Sequence, residues 1–259
     1  MKIQKVLVVG ANTLGLIEAL WLKEKGYKVT LLDISVNKIN LLNKGFHFNS
    51  LSNDKSIEKF NEYHLDISFT NALSVLSCDF DMIFVCEPTI IDGKFNYRYF
   101  DDMLNHIIKK VEYRSRIIIR NIVELEKIEL IDKKISENKN IQGIIYLPLQ
   151  DYDKIYEEIF NPNRIVVGIN SDIDHFLVSI LYRDFIEENI EITYTNPISA
   201  ESISFINSYK KYLQEMYKKT ILKLMISYNI NYDDIENYVG TLTLDDLNEY
   251  QKACLKIYE

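Results

Sequence analysis

Thiols and imidazoles are scarce in this chain. Its cysteines, Cys78, Cys86 and Cys254, form no CxxC pair and no even framework. That argues against structural zinc and a disulfide scaffold, and favours a reducing compartment. The histidines, His47, His64, His106 and His175, show no HxxxH or HExxH spacing, so no histidine-based metal site is expected. Positive charge is also short: 30 Lys and Arg face 38 Asp and Glu, a net charge of −8. Nucleic acid and anionic membranes need concentrated cationic side chains, so neither is an expected partner. A local basic pocket could still take an anionic small molecule. No run of apolar residues is long enough to span a bilayer. Lys2 and Lys5 precede an apolar stretch like that of a secretion signal, but Asn12 and Glu18 interrupt it and no small-residue cleavage site follows. The chain is therefore expected in the cytoplasm.

Apolar residues make up 47% of the chain, enough for a full core. Strand-like runs occur at Lys5–Val9, Lys28–Leu32, Asp66–Phe69, Met82–Cys86, Arg116–Arg120, Gly143–Leu147, Arg164–Gly168 and Ile190–Thr195. Between them, Leu14–Lys25, Phe100–Val111, Leu125–Glu137 and Asp172–Phe185 have apolar residues at helical spacing. Continuous apolar strands alternating with helices predict an α/β fold with a doubly wound, mostly parallel Rossmann-type sheet covered on both faces. The pattern changes after Pro197. Residues Ser199–Tyr228 hold neither proline nor glycine and read as one long helix. Shorter helices follow at Tyr232–Tyr238 and Leu244–Tyr258, the second capped by Thr243. Residues 1–196 are thus expected as a dinucleotide-binding domain, and 197–259 as a connecting helix with a small helical cap.

The chemistry begins at Gly10-Ala-Asn-Thr-Leu-Gly15, directly after the first strand. Gly10 and Gly15 would let the turn and helix approach a pyrophosphate, which the N–H groups around Thr13 and Leu14 would receive. Asp33, closing the second strand, is placed to accept from a ribose 2′-hydroxyl and to repel a 2′-phosphate. NAD is therefore favoured over NADP. Asn12 stands where the middle glycine of the G-x-G-x-x-G fingerprint belongs. Its side chain is expected to intrude on the pyrophosphate space, and its tolerance of positive φ to let the turn survive.

Several segments in order resemble the UDP-glucose/GDP-mannose dehydrogenases, NAD-dependent enzymes that oxidise a nucleotide sugar's C6 alcohol to a carboxylate. These are Val6-Leu-Val-Val-Gly-Ala-Asn-Thr-Leu-Gly-Leu16, Leu32-Asp33-Ile-Ser-Val-Asn-Lys38, Phe84-Val-Cys-Glu-Pro-Thr89, Phe160-Asn-Pro-Asn-Arg-Ile-Val-Val-Gly168 and Ser199-Ala-Glu201. The resemblance implies a cofactor site at Gly10, Asn12, Thr13, Leu14, Gly15, Asp33, Lys38, Glu87, Pro88 and Thr89, and a homodimer built on the long helix. Arg164 would contact phosphate or sugar, with a surface ion pair as the alternative. The departures fall on catalysis. Ser204 stands at the family's catalytic lysine, Ser208 at its helix asparagine, and Leu149 at the glutamate of its P-E-F motif. Asn121-Ile-Val-Glu-Leu-Glu126 replaces the loop near the nicotinamide. No room is left for the nucleotide-sugar domain with its nucleophilic cysteine. Cys254 falls near that spacing, but its flanks read as an amphipathic helix, so packing is the favoured role. The expectation is a truncated, degenerate homologue that binds NAD or a nucleotide sugar without the four-electron oxidation. The alternative is an active NAD-dependent oxidoreductase with altered substrate or two-electron chemistry.

Overall fold

The computed structural model describes residues 4–47, 51, 54–91, 94–151, 154–231 and 234–235. The strands are β1 (Lys5–Val9), β2 (Lys28–Leu32), β3 (Ser68–Thr70), β4 (Met82–Val85), β5 (Ile90–Ile91), β6 (Lys94–Phe95), β7 (Ser115–Ile119), β8 (Ile141–Tyr146), β9 (Arg164–Gly168) and β10 (Glu191–Thr195). The helices are α1 (Thr13–Glu24), α2 (Val36–Asn43), α3 (Asp54–Tyr63), α4 (Arg98–Lys110), α5 (Lys127–Ile135), α6 (Ile155–Phe160), α7 (Asp172–Leu181), α8 (Arg183–Glu187) and α9 (Pro197–Tyr228).

Among the described residues, eight strands form one sheet in the order β10-β9-β8-β7-β4-β1-β2-β3. Every neighbouring pair is parallel except β8 and β9, whose tips meet antiparallel at Tyr146 and Gly168. The sheet is mostly parallel, as its sequence pattern predicts, but the β8-to-β9 step is not a parallel crossover. The chain runs outward from β1 through β2 and β3, then returns to β4 on the other side of β1. That reversal opens a crevice at the carboxyl ends of β1 and β4, where ligands bind in such sheets.

Alternation along the strands builds a core on each face. Val6 and Val8 pack with α1, α7 and α8, whereas Leu7 and Val9 pack with α4 and α5. Helix α1 is buried along Leu14–Leu22, as expected of a helix that is apolar almost all round. The antiparallel pair of β5 and β6 is a small addition between β4 and α4.

Two compact units divide at Phe205/Ile206, inside α9, later than the expected boundary at residue 196. Helix α9 starts at Pro197, with Asn196 accepting from the Ser199 N–H at 2.8 Å. A capping asparagine followed by proline at the first helical position is a strong start signal. In the second unit, Leu222 and Met225 are buried, packed against Ile221 and Ile235. No described helix is long and apolar enough to cross a membrane. The expected helix at Leu244–Tyr258, with its Thr243 cap and Cys254, lies outside the described residues. So do most of Tyr232–Tyr238 and the side chain of Ser208.

Candidate functional site

Strand β1 runs straight into the glycine turn. Gly10 sits at φ +105, a conformation L side chains rarely adopt. A Cβ there would also lie 3.1 Å from the Cys86 carbonyl carbon and the Glu87 nitrogen. Gly15 is required for space: its Cβ would stand 1.8 Å from the Gly10 oxygen. Helix and turn can touch only with both glycines present.

Asn12 behaves differently from the expectation. Its backbone is extended, at φ −114 and ψ −175, so tolerance of positive φ plays no part. It is the N-cap of α1. Its Oδ1 accepts from the Gly15 N–H at 3.1 Å, and its Nδ2 donates to the Cys86 oxygen at 2.7 Å. The side chain thus clamps α1 to the end of β4. Leu16 N–H bonds the Asn12 oxygen at 2.9 Å. The N–H groups of Thr13 and Leu14 are left with no acceptor among the described residues, and they form the part of a helix start that receives an anion.

Asp33 is nearly buried, at 4% exposure. Its Oδ2 accepts from the Ala11 N–H at 2.8 Å and from Lys38 Nζ at 3.0 Å; its Oδ1 accepts from the Ser35 N–H at 2.8 Å. A carboxylate oxygen can accept twice, so Oδ1 keeps capacity for a ribose hydroxyl. Lys38 is positioned by α2, whose N-cap Ser35 accepts from the Lys38 N–H.

Asp33, Lys38, Glu87 and Pro88 line one cleft of about 860 Å³. Its other wall comes from α4, through Arg98, Tyr99, Asp102, Met103 and His106. Sequence reading misses this wall, because nothing within α4 says which of its polar residues turn toward β2. Burial, with Asp33 beside it, pushes the Glu87 carboxyl up to about 7, and Lys38 opposes the rise.

Not every expected site residue lines the cleft: Gly10, Asn12, Thr13, Leu14 and Gly15 are not among its lining residues. Thr89 is buried, and its hydroxyl donates to the Ile122 oxygen at 2.6 Å, tying together the loops after β4 and β7. Arg164 is exposed at the start of β9 and is not among the residues lining the cleft. Leu149 and Ser204 lie together, 1% and 0% exposed, with Ser204 Oγ donating to the Leu149 oxygen at 3.3 Å. Glu201 accepts from the Glu126 and Ile128 N–H groups at 2.8 and 3.0 Å, so α9 holds the end of the 121–126 loop. Among the described residues there is no cluster of His, Cys, Asp and Glu able to hold a metal ion.

Beneath the turn lies a charge pair that the sequence reading missed. Glu18 on α1 and Arg120 after β7 are 0% and 4% exposed, with Arg120 Nε donating to Glu18 Oε2 at 2.8 Å. Arg120 Nη1 also donates to the Leu147 oxygen at 2.6 Å. An acid in the middle of the apolar stretch Leu14–Leu22 was the available signal.

A parallel sheet, a glycine turn with free helix amides and an acid closing β2 define a dinucleotide-binding Rossmann domain. Comparison with known proteins makes the class specific. The profile of the UDP-glucose/GDP-mannose dehydrogenase family, NAD binding domain, matches residues 4–186. The chain belongs to this family, and the matched segment is its NAD-binding domain. The UDP-N-acetyl-D-mannosamine dehydrogenase of Methanococcus vannielii is 27% identical over 81% of this chain and 48% of its own length. The UDP-glucose 6-dehydrogenase of Rickettsia prowazekii is 23% identical over 78% of this chain and 48% of its own length. The solved UDP-D-ManNAc dehydrogenase of Pyrococcus horikoshii superposes with a TM-score of 0.77 at 19% identity, covering 90% of this chain and 57% of that one. The chain therefore spans about half the length of the curated dehydrogenases it matches.

Proposed function

We propose that this protein binds NAD in the cleft beside β1 and β4 and does not carry out the family's four-electron oxidation. The observation that carries the second half is the state of Leu149 and Ser204. These residues stand where the resemblance places a glutamate and a lysine, and both are sealed from solvent and bonded to one another. Leucine moves no proton, and Ser204 Oγ is engaged on a carbonyl. Loss of a proton-transfer group commonly costs about 10²–10⁴ in rate, and two such groups are replaced. Binding is supported by the amides of Thr13 and Leu14, by Asp33 Oδ1 and by the glycine cradle. When bound, NAD would supply hydride acceptance; the chain's residues would hold its pyrophosphate and adenosine ribose.

Calorimetric titration with NAD⁺ and NADH, paired with assay of NAD⁺ reduction on UDP-glucose, UDP-N-acetyl sugars and GDP-mannose, tests this. Micromolar binding without turnover is expected. Turnover on any of these sugars would overturn it, as would no binding at millimolar ligand.

The retained cradle also favours a second reading, an NAD-dependent oxidoreductase with altered substrate or two-electron chemistry, since the cofactor carries the hard step. NAD⁺ reduction on a simple alcohol or hydroxy acid would establish it. In the first reading the protein serves polysaccharide biosynthesis in the cytoplasm as a ligand-binding or regulatory component, with a nucleotide sugar as a further ligand.

The assembly we propose is a homodimer through α9. Ile206, Tyr209, Leu213, Met216 and Tyr217 recur at helical spacing and are 43–61% exposed. Sedimentation is expected to give twice the chain mass, and Leu213→Asp to halve it; a monomeric wild type would end this proposal.

A further inference from the structure

The NAD reading leaves a buried acid in the cleft, Glu87, without a role. Glu87 lies where β4 ends, with its peptide nitrogen against the Gly10 turn. The residue is 8% exposed, and among the described residues no hydrogen bond or ion pair reaches its carboxylate. It faces Asp33 at the end of β2, Lys38 on α2, and Arg98, Asp102 and His106 on α4. Behind it, past Cys86, lies the Glu18–Arg120 pair of α1 and β7. Lys38 is already bonded to Asp33. The carboxylate therefore shares its cleft with a second acid, Asp33, and its own backbone abuts the turn whose free amides would receive a pyrophosphate. Bringing two more negative charges to such a partly buried spot costs far more than it would in water.

We propose that Glu87 makes dinucleotide binding proton-linked: the pyrophosphate is accepted with the Glu87 carboxyl neutral, so binding to the ionised form takes up one proton. This rests on the NAD reading above. The free protein is poised for the exchange, because burial and Asp33 already hold this carboxyl at about 7. The sign follows from that position. Below pH 7 the carboxyl is already neutral, and affinity is flat. Above it, binding must first draw a proton from solvent, and Kd rises by up to about tenfold per pH unit.

Titration calorimetry of the full chain with NAD⁺ at pH 6.5 and 8.5 tests the idea. Affinity is expected to be about 20-fold weaker at the higher pH. At pH 8.5, buffers of different ionisation enthalpy should report uptake of about one proton. Glu87→Gln should bind equally at both pH values and take up none. Equal wild-type affinity without proton uptake overturns the proposal and leaves the NAD reading intact. Persistence of the pH dependence in Glu87→Gln assigns it to another group and also overturns it. Failure of wild type and variant to bind NAD⁺ at either pH removes the NAD reading and the proposal together. A wild-type proton count of zero overturns the proposal even if Glu87→Gln does not fold, and Glu87→Ala then serves as the second variant.

Discussion

Gly15→Ala is expected to abolish dinucleotide binding and to lower the thermal midpoint by about 10 °C. The added Cβ would stand 1.8 Å from the Gly10 oxygen, well inside van der Waals contact. Neither partner is a flexible side-chain end; one is helix and the other is turn backbone. Relief requires the start of α1 to lift from β1, which breaks the Asn12 clamp and moves the Thr13 and Leu14 amides. Overpacking of this kind costs about 3 kcal/mol or more, and each kcal/mol lowers the midpoint of a domain this size by roughly 2–4 °C. Gly26→Ala is the control. Gly26 has φ +86 but nothing within 4 Å of its would-be Cβ, so only backbone strain of about 1–2 kcal/mol applies, and binding should persist. Calorimetric melting and NAD⁺ titration of both variants check the pair. A Gly15→Ala protein that melts and binds like wild type would refute the described turn.

The second large effect concerns the buried charges. Arg120→Leu is expected to cost about 3–5 kcal/mol, because it leaves the Glu18 carboxylate buried without its partner. Burial alone already pushes Glu18 above the ordinary carboxylate range, with Arg120 holding it down. The same change frees the Leu147 oxygen. Replacing both charges, Glu18→Leu with Arg120→Leu, should recover much of the loss, since a well-packed apolar pair is often neutral relative to a buried ion pair. Urea unfolding of the two single variants and the double gives the coupling. Additive losses would show that the pair is not energetically linked.

Much of the frame was legible in advance. β1, β2 and β9 coincide with their apolar runs, because strands buried along most of their length leave short Val-, Ile- and Leu-rich runs bounded by turns. Asp172–Phe185 reads as one helix but breaks at Tyr182, with φ −107 and ψ 24. Leu177, Leu181 and Phe185 are all in the core, so apolar spacing continues across the break and conceals it. The strands β5 and β6 are two residues each, too short to show a period.

The site was legible where it is local and hidden where it is tertiary. The glycines, Asp33 and Lys38 sit at fixed spacings along one βαβ unit. The α4 wall, the inward turn of Thr89 and the Glu18–Arg120 pair depend on which elements meet across the sheet. Asn12 was misread because it was measured against the glycine it replaces. The helix needed a cap, and an asparagine can supply one.

That cap separates the turn's shape from any ligand. A loop ordered only by an anion would relax to other conformers once the ligand was no longer used. Here the turn is held by Gly15, by Asn12 and by the end of β4, all within the folded sheet, so losing it would mean losing stability. Selection for a chain that simply folds is sufficient to keep such a turn through descent, whether or not chemistry follows at it.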